Sequence, residues 1–194
     1  GPAAQSPHAK LLLDVKGRRM TRRMQRLLCV DDFEAAARKH LPRPVFGYVA
    51  GDAETRASLS DNRAAFHELA FVPRVLIDVS KGSSQTSLFG QTYAAPFGIA
   101  PLGISALYAY RGDLVLARAA AAAEIPMIMS GSSLIRLEDV ARESDKVWFQ
   151  AYLPGDVPQI TALVERVARA EFGTLVVTVD SHVAPNRENY LRAG

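Results

Sequence analysis

Several features that are common in other classes of protein are scarce or missing in this sequence of 194 residues. Its single cysteine, Cys29, excludes an internal disulfide framework and indicates a reducing, cytoplasmic location. No apolar run approaches the ~20 residues that cross a membrane, and no signal-peptide pattern is present. No glycine-rich phosphate loop follows a predicted strand, and the nearest approach is Gly131-Ser132-Ser133. This absence disfavours nicotinamide binding in its usual fold.

Metal chemistry also has little support in the sequence. The histidines are scattered, and none lies at ligand spacing from carboxylates: His8, His40, His67 and His182. Asp180 and His182 form at most half of a metal site, and that interpretation is disfavoured. We therefore expect a site without a metal ion.

The basic character of the chain is confined to its N-terminal arm, residues 1–28, where Gly1-Pro2 resembles the remnant of a tag. The arm holds seven basic residues and one acid, which leaves 16 basic and 19 acidic residues elsewhere. A helix over 18–28 would align four apolar side chains beside an arginine-rich face, Met20, Met24, Leu27 and Leu28. Such a helix can lie on an anionic membrane or dock a partner, but packing on its own domain is favoured. Nucleic-acid binding is disfavoured, because no recognised module follows.

Residues 29–95 are predicted to form short helices and one hairpin. A helix capped within Val30-Asp31-Asp32 should stop before Leu41-Pro42, a second should begin near Pro44, and a third should span 57–66. The segments 85–88 and 92–95 flank Phe89-Gly90-Gln91, where Gly90 permits a tight turn. Such a hairpin could close the lower end of a barrel.

From residue 96 onward, predicted strands alternate with predicted helices. The strands are 97–100, 127–129, 147–150 and 175–179, and the helices are 113–123, one from about 137, and 157–170. This alternation predicts a parallel sheet covered by helices, either a barrel or an open doubly wound sheet. A complete eight-unit barrel needs roughly 250 residues. This chain therefore has room for only the first four β/α units.

Small or polar residues end all four predicted strands. They are Ile99-Ala100-Pro101, Met129-Ser130, Gln150-Ala151-Tyr152 and Thr178-Val179-Asp180. The carboxyl ends of barrel strands carry the active site, so these residues predict chemistry there. Ordinary turn chemistry at strand ends is the alternative.

Seven segments, in order, resemble the FMN-dependent α-hydroxy-acid dehydrogenase and oxidase family, of the glycolate oxidase, lactate dehydrogenase and mandelate dehydrogenase type. They are 41–54, 62–66, 73–79, 98–101, 148–152, 178–180 and 186–188. The resemblance runs from about residue 29 to residue 194 and favours the barrel over the open sheet. It implies a TIM (β/α)8 barrel represented by its first four units in 96–194. Residues 29–95 would cap that barrel, and 1–28 would form an extension.

The resemblance also implies roles for individual residues. Tyr48 and Arg187 resemble residues that bind the substrate carboxylate, and Tyr152 resembles a tyrosine near the substrate 2-hydroxyl. Asp180 resembles the carboxylate that orients and stabilises a catalytic histidine. The plainer alternative for Tyr48 is a packing tyrosine.

The flavin contacts are implied in the same way. The family's isoalloxazine ring touches backbone at the positions of Leu102 and Gly103, and side chains at those of Ser130, Gln150 and Thr178. Ser130 and Thr178 would otherwise only complete the hydrogen bonding at strand ends. Gly103 favours a dehydrogenase that uses a quinone or other acceptor over an O2-using oxidase.

The implied function is oxidation of an L-2-hydroxy acid to the 2-oxo acid with FMN. The family's catalytic histidine lies in the second half of the barrel, so a C-terminal half, in another chain or missing, is the expected partner. A homotetramer and peripheral contact with the inner face of the plasma membrane are also implied. The alternative is a noncatalytic half-barrel scaffold, against which the retained Tyr48, Tyr152, Asp180 and Arg187 argue.

Overall fold

Three short helices precede the sheet in the computed structural model, which describes residues 21–22, 24–153, 155–181 and 183–193. They are α1 (Val30–His40), α2 (Arg43–Ala50) and α3 (Ala57–Ala64), and a 3-10 turn at Ala65–His67 follows the last of them. The three predicted helices are thus confirmed. The α-helical part of the third ends at Ala64, two residues before the predicted end at residue 66.

The start of α1 differs by one residue from the prediction, because Cys29 is its N-cap. The carboxylate of Asp32 accepts hydrogen bonds from the backbone amides of Leu28 at 2.7 Å and Cys29 at 3.2 Å. These backbone donors lower the pKa of Asp32. At the other end, Leu41 is extended, as expected for a residue that precedes a proline.

The prediction of an amphipathic helix over 18–28 is wrong for those of its residues that the structure describes. Residues 18–20 and 23, and with them Met20, lie outside the described residues. Between 24 and 28 there is only a 3-10 turn at Met24–Arg26, whose first amide is capped by Thr21 Oγ1 at 3.3 Å. Because Asp32 binds the amides of Leu28 and Cys29, the turn cannot continue into α1. The Leu28 side chain is exposed rather than packed.

The predicted hairpin is confirmed as β1 (Thr86–Leu88) and β2 (Gln91–Tyr93). Phe89 and Gly90 both have positive φ angles, 50° and 79°, which is the conformation of a two-residue type I′ turn. The buried hydroxyl of Tyr93 accepts a hydrogen bond from Trp148 Nε1 at 3.0 Å. Trp148 lies near the start of its strand, so the hairpin packs at the end of the sheet opposite the candidate site.

The main sheet is parallel and has the order β3 (Met127–Ser130), β4 (Val147–Ala151) and β5 (Leu175–Val177). The predicted first strand, 97–100, is reduced to a single parallel bridge between Ile99 and Met127. Pro96 and Pro101 flank this segment and supply no backbone N–H, which limits the ladder to the bonds that Ile99 makes. Three strands and one bridge therefore stand where four strands were predicted.

Helices cover one face of the sheet. They are α4 (Gly112–Ala122), α5 (Leu137–Ala141) and α6 (Val157–Arg169), and a short α7 (Glu188–Arg192) follows β5. Ala117 and Ala120 are buried on α4, so this helix packs closely, as its run of alanines predicts. The core continues into Met129, Val140 and Phe149. Within the described ranges, no helix is long and apolar enough to span a bilayer.

Burial is uneven along the chain. All five residues of β4 are buried, whereas in β5 Leu175 and Val177 are 37% and 41% exposed. The segment between α3 and β1 exposes several large apolar side chains, which include Phe66, Leu69, Phe71, Val72 and Leu76. Apolar surface is therefore left uncovered on this segment and on the outer strand of the sheet.

Candidate active site

A row of hydrogen-bonded polar side chains lies across the carboxyl ends of the three strands. Gln150 Oε1 accepts from Ser130 Oγ at 3.2 Å, and Gln150 Nε2 donates to Thr178 Oγ1 at 2.9 Å. Ser130 and Gln150 are 3% and 2% exposed, so the row forms part of the interior. The structure thus brings together the three side chains that were predicted to touch the flavin.

The register of the sheet explains this alignment. Ser130 pairs directly with Gln150, and the amide of Thr178 donates to the carbonyl of Ala151 at 3.1 Å just beyond β5. Neighbouring parallel strands therefore deliver their last residues to the same edge. Polar groups at that edge are buried and must be paired, and they satisfy one another.

The turn after β3 completes the row on its inner side. The amide of Gly131 donates to Gln150 Oε1 at 3.1 Å, and the amide of Ser132 donates to Ser130 Oγ at 3.1 Å. A side chain at residue 131 would place its Cβ 2.7 Å from the carbonyl oxygen of Gln150, so only glycine fits here. Gly131-Ser132-Ser133 is therefore a close strand-end turn in this structure.

The loop after the first bridge, 102–111, lies against this turn. The amide of Ile104 donates to the carbonyl of Ser132 at 3.0 Å. A Cβ built on Gly103 would lie 3.6 Å from Ser132 Cβ and 3.9 Å from Ser130 Oγ. Leu102 is 42% exposed beside it. The backbone positions predicted to touch the flavin therefore adjoin the row of side chains.

Tyr48 and Arg187 form a second group, on α2 and at the start of α7. The Arg187 guanidinium carbon lies 4.8 Å from the centre of the Tyr48 ring, and Tyr190 packs edge-on against that ring with centroids 5.9 Å apart. Asn189 Nδ2 donates to Asp52 Oδ1 at 3.1 Å and holds α7 on the end of α2. The two residues predicted to bind a carboxylate are therefore neighbours although 139 positions separate them in the sequence.

The remaining predicted residues, Tyr152 and Asp180, are not brought into contact. Tyr152 is 51% exposed, and Asp180 is also exposed. Neither side chain makes a hydrogen bond or an ion pair with another described residue. Each follows a member of the buried row by two positions, since Tyr152 follows Gln150 and Asp180 follows Thr178. They therefore stand free at the open rim of the strand ends.

Three polar residues beside the row were missed from the sequence. Asp113, at the start of α4, is 1% exposed, and its Oδ2 accepts from Ser133 Oγ at 2.6 Å. The hydroxyl of Tyr108 donates to the carbonyl of Gly103 at 3.0 Å. Burial, followed by the nearby Asp113 and Tyr48, raises the pKa of Tyr108. Their only signal in the sequence is an acid in the first turn of a predicted helix, which ordinarily indicates no more than helix stabilisation.

The residues at the strand ends fit the edge of a flavin ring. The Thr178 hydroxyl keeps its hydrogen after it accepts from Gln150, and Gln150 keeps one amide hydrogen. Such a row offers both donors and acceptors, as the mixed polar edge of an isoalloxazine ring requires. Gly103 adds a stretch of backbone with no side chain to obstruct a planar ring. No group of three or more His, Cys, Asp or Glu side chains that could hold a metal ion occurs among the residues the structure describes.

Comparison with known proteins gives consistent matches. A family model described as FMN-dependent dehydrogenase matches residues 37–194. A putative L-lactate dehydrogenase of Mycobacterium tuberculosis is 38% identical over 175 residues, which cover 89% of this chain and 42% of that protein. The 2-hydroxyacid oxidase 2 of Homo sapiens is 36% identical over 168 residues, 86% of this chain and 48% of that protein.

A solved structure agrees with these matches. The crystal structure of the monotopic membrane protein (S)-mandelate dehydrogenase matches with a TM-score of 0.81 at 36% identity, over 87% of this chain and 45% of that one. At this identity the likeness extends beyond the fold. The chain spans less than half the length of each of these proteins.

Proposed function

The chain belongs to the FMN-dependent dehydrogenase family, and on that premise we propose that it supplies the flavin-facing half of an enzyme that oxidises an L-2-hydroxy acid to the 2-oxo acid. The observation that carries this proposal is the hydrogen-bonded row of buried Ser130 and Gln150 with partly buried Thr178, beside Gly103. A barrel with no ligand at this edge would have little reason to bury a glutamine there. Its (β/α)8 architecture would be completed by further strands beside β5.

Each residue of the candidate site has a task in the proposed reaction. FMN, when bound, supplies the acceptor for the two electrons that leave the substrate carbon. Gln150, held on both sides by hydrogen bonds, presents its free amide hydrogen in one fixed orientation. Ser130 and Thr178 hold that amide, and the backbone of Leu102 and Gly103 provides the adjoining wall.

The second group binds the substrate. Arg187 offers a guanidinium fork to the carboxylate, and the Tyr48 hydroxyl donates beside it. The contact of the Arg187 guanidinium with the Tyr48 ring, 4.8 Å from its centre, would hold both groups beside a planar anion. Tyr152, at the open rim, directs its hydroxyl toward the substrate 2-hydroxyl, from which a proton must leave.

Asp180 completes the proton transfer through a base that lies outside this chain. A carboxylate beside an imidazole raises the pKa of that imidazole and stabilises the imidazolium formed as it takes the hydroxyl proton. The exposed, unpaired position of Asp180 relative to the described residues leaves room for such a histidine. We place that histidine in the C-terminal half of the barrel, whose strands would also cover the apolar side chains of β5.

The nature of the acceptor rests on Gly103. We propose a dehydrogenase that passes electrons to a quinone or another organic acceptor. The human relative named as an oxidase is the specific reason to keep O2 as a second candidate. A homotetramer, and peripheral attachment to the inner face of the plasma membrane through the basic arm, complete the proposal. The named monotopic mandelate dehydrogenase supports the idea of attachment.

The proposal is tested by flavin spectroscopy on the full-length protein. We expect bound FMN whose visible absorption bleaches when L-lactate, L-mandelate or glycolate is added without oxygen. Reoxidation by a quinone faster than by O2 would identify a dehydrogenase, and the reverse an oxidase. A protein that binds no flavin, or whose flavin never bleaches, would be the noncatalytic scaffold.

A pair of threonine variants ties the flavin to the predicted edge. Thr178→Val removes the hydroxyl that Gln150 bonds, and we expect FMN affinity to fall about tenfold because a charge-neutral hydrogen bond is worth about 1 kcal/mol or somewhat more. Thr174→Val is the matched control, because Thr174 precedes the same strand at its opposite end. Equal losses in the two variants would contradict the placement.

A further inference from the structure

We propose that Tyr108, Asp113 and Ser133 form a loop clamp, which locks the loop 102–111 onto the turn 131–136 and so positions the backbone of Gly103 against the flavin. The three residues touch neither substrate nor cofactor in this scheme. They are positioning residues, and the proposal rests on the flavin-binding function proposed above.

The clamp bonds the two segments at separate points. Ser133 Oγ, in the turn after β3, donates at 2.6 Å to Oδ2 of Asp113, which lies on α4 just past the far end of the loop 102–111. Ser133 Oγ also accepts from the amide of Ile135 at 3.0 Å, which fixes the hydroxyl in place. Near the start of the loop, Ile104 donates its amide to the carbonyl of Ser132 at 3.0 Å. The loop is thus tied to the turn at both of its ends.

Tyr108 braces the same loop from within. Its hydroxyl donates to the Gly103 carbonyl at 3.0 Å, across five residues of chain. A tyrosine phenol is protonated at neutral pH and is therefore a donor, and burial raises the pKa of Tyr108 further from that range. Because the carbonyl of Gly103 is held from one side, the direction of the Gly103 peptide plane is fixed as well. This is the peptide predicted to face the flavin ring.

The burial of Asp113 argues that this arrangement is not kept for stability alone. The residue is 1% exposed, and its Oδ1 has no hydrogen-bond partner among the described residues. The buried hydroxyl of Ser105 also has no hydrogen-bond partner among the described residues. A buried carboxylate that is only partly satisfied costs free energy, and an uncharged residue of similar size would avoid that cost. Such costs concentrate at functional sites.

The backbone of the loop also adopts conformations that cost free energy. Ile104 and Arg111 have φ angles of 47° and 54°, a region that β-branched residues such as isoleucine rarely enter. Directly after Arg111, a Cβ on Gly112 would lie 2.7 Å from Ser105 Oγ and 2.8 Å from Ser105 O. The loop is therefore wound tightly into one shape, and it needs contacts such as the clamp to stay there.

The proposal predicts how the flavin-loaded, full-length protein responds when one hydroxyl is removed. We expect Tyr108→Phe to slow flavin reduction by a 2-hydroxy acid about tenfold, because small displacements of reacting groups are costly in rate. The KM should change by less than about threefold, since the substrate-binding residues are untouched, and the visible flavin spectrum should shift. Tyr110→Phe is the matched control, because Tyr110 lies in the same loop and is 88% exposed. A Tyr108→Phe variant that behaves like this control overturns the clamp.

A second variant tests whether the contacts act as one unit. Ser133→Ala removes the bond to Asp113, and it should lower the same rate with the same small effect on KM. In the double variant the loss should be smaller than the product of the two single losses, because both contacts hold the same pair of segments. Losses that simply multiply contradict a single clamp.

Hydrogen exchange separates a failure of the clamp from a failure of the proposed function. If the wild-type protein carries no flavin, the proposed function is wrong, but the exchange rate of the Ile104 amide still reports on the loop. Tyr108→Phe should accelerate that exchange, and Tyr110→Phe should not. A normally reducible wild-type flavin together with unchanged exchange and rate in Tyr108→Phe overturns the clamp alone.

Discussion

The strands β4 and β5 are neighbours with similar polar endings, yet their surroundings differ. β4 is buried along its whole length, and Gln150 at its end is held by hydrogen bonds from Ser130 and Gly131 and to Thr178. β5 is partly exposed, and Asp180 beyond its end bonds to no other described residue. We infer that the chain supplies one hydrogen-bonded wall of the proposed flavin site from its own residues. The proton transfer proposed for Asp180 would need a further group from outside the described residues.

The largest effect is expected from a substitution at Asp180, beyond the end of the partly exposed β5, which we call the open side of this pair. Asp180→Asn in the full-length protein should lower the rate of flavin reduction by about 100-fold or more, because proton transfer by positioned groups contributes on that scale. The melting temperature should fall only slightly, since asparagine has nearly the same shape and the carboxylate bonds to no other described residue. Stopped-flow reduction and thermal unfolding measure the two effects. Asp61→Asn, on the exposed helix α3, is the control, and full activity in Asp180→Asn would remove Asp180 from the mechanism.

The next largest effect is expected from a substitution at Gln150, near the end of the buried β4, which we call the closed side. Gln150→Leu removes the hydrogen-bond partner of the buried Ser130 Oγ and of the partly buried Gly131 amide and Thr178 hydroxyl. We expect the free energy of unfolding to fall by about 3 kcal/mol, because orphaned buried polar groups are costly. Urea unfolding measures it. Gln159→Leu, at the exposed start of α6, should lose much less, and equal losses would show that the row is not a structural unit.

A smaller effect tests how tightly the closed side is packed. An alanine Cβ at residue 131 would lie 2.7 Å from the carbonyl oxygen of Gln150, so Gly131→Ala must push the turn away from β4. We expect a loss of about 2 kcal/mol on unfolding in urea, as for other overpacked sites. Gly155→Ala is the matched control, because a Cβ there meets nothing within 4 Å. An unchanged free energy of unfolding in Gly131→Ala would show that the turn can move away from β4 without cost.

The same contrast separates what the sequence predicted from what it did not. The hairpin turn at Phe89-Gly90 and the helix stop before Leu41-Pro42 follow from local chemistry, and both were predicted. The polar row was predicted as a set of positions, because strand ends share an edge in any parallel sheet. The hydrogen bonds within it depend on register, which the sequence does not display.

The predictions that failed, and the clamp that was missed, have more than one physical cause. The first strand shrinks to one bridge because prolines flank it, and the arm is not an α-helix at 24–28 because Asp32 captures its last amides. The loop clamp was missed because Tyr108, Asp113 and Ser133 come together only through tertiary structure. The arm and the clamp thus depend on contacts between separate residues, whereas the first strand is limited by the prolines beside it. Tyr48 and Arg187 were found only through the family resemblance, and their stacking was not foreseen.

The smallest expected effect concerns the helices that support the closed side. The Arg166 guanidinium on α6 donates to both carboxylate oxygens of Glu138 on α5, at 2.7 and 3.0 Å. This pairing lowers the pKa of Glu138 to about 2. Because the pKa is depressed in the folded state, the stabilisation is fully present above the unfolded value of 4.5 and is lost as the pH falls toward 2.

Glu138→Gln should therefore lower the melting temperature slightly at neutral pH, and the difference from wild type should shrink between about pH 5 and pH 2. The effect stays small because the pair is exposed to solvent and screened. Glu165→Gln is the control, since its partner Arg169 lies 3.6 Å away on the same helix and both side chains are more exposed. A melting-temperature difference for Glu138→Gln that persists at pH 2 would show that the glutamate acts through packing, and the support that α5 and α6 give the closed side would then not be electrostatic.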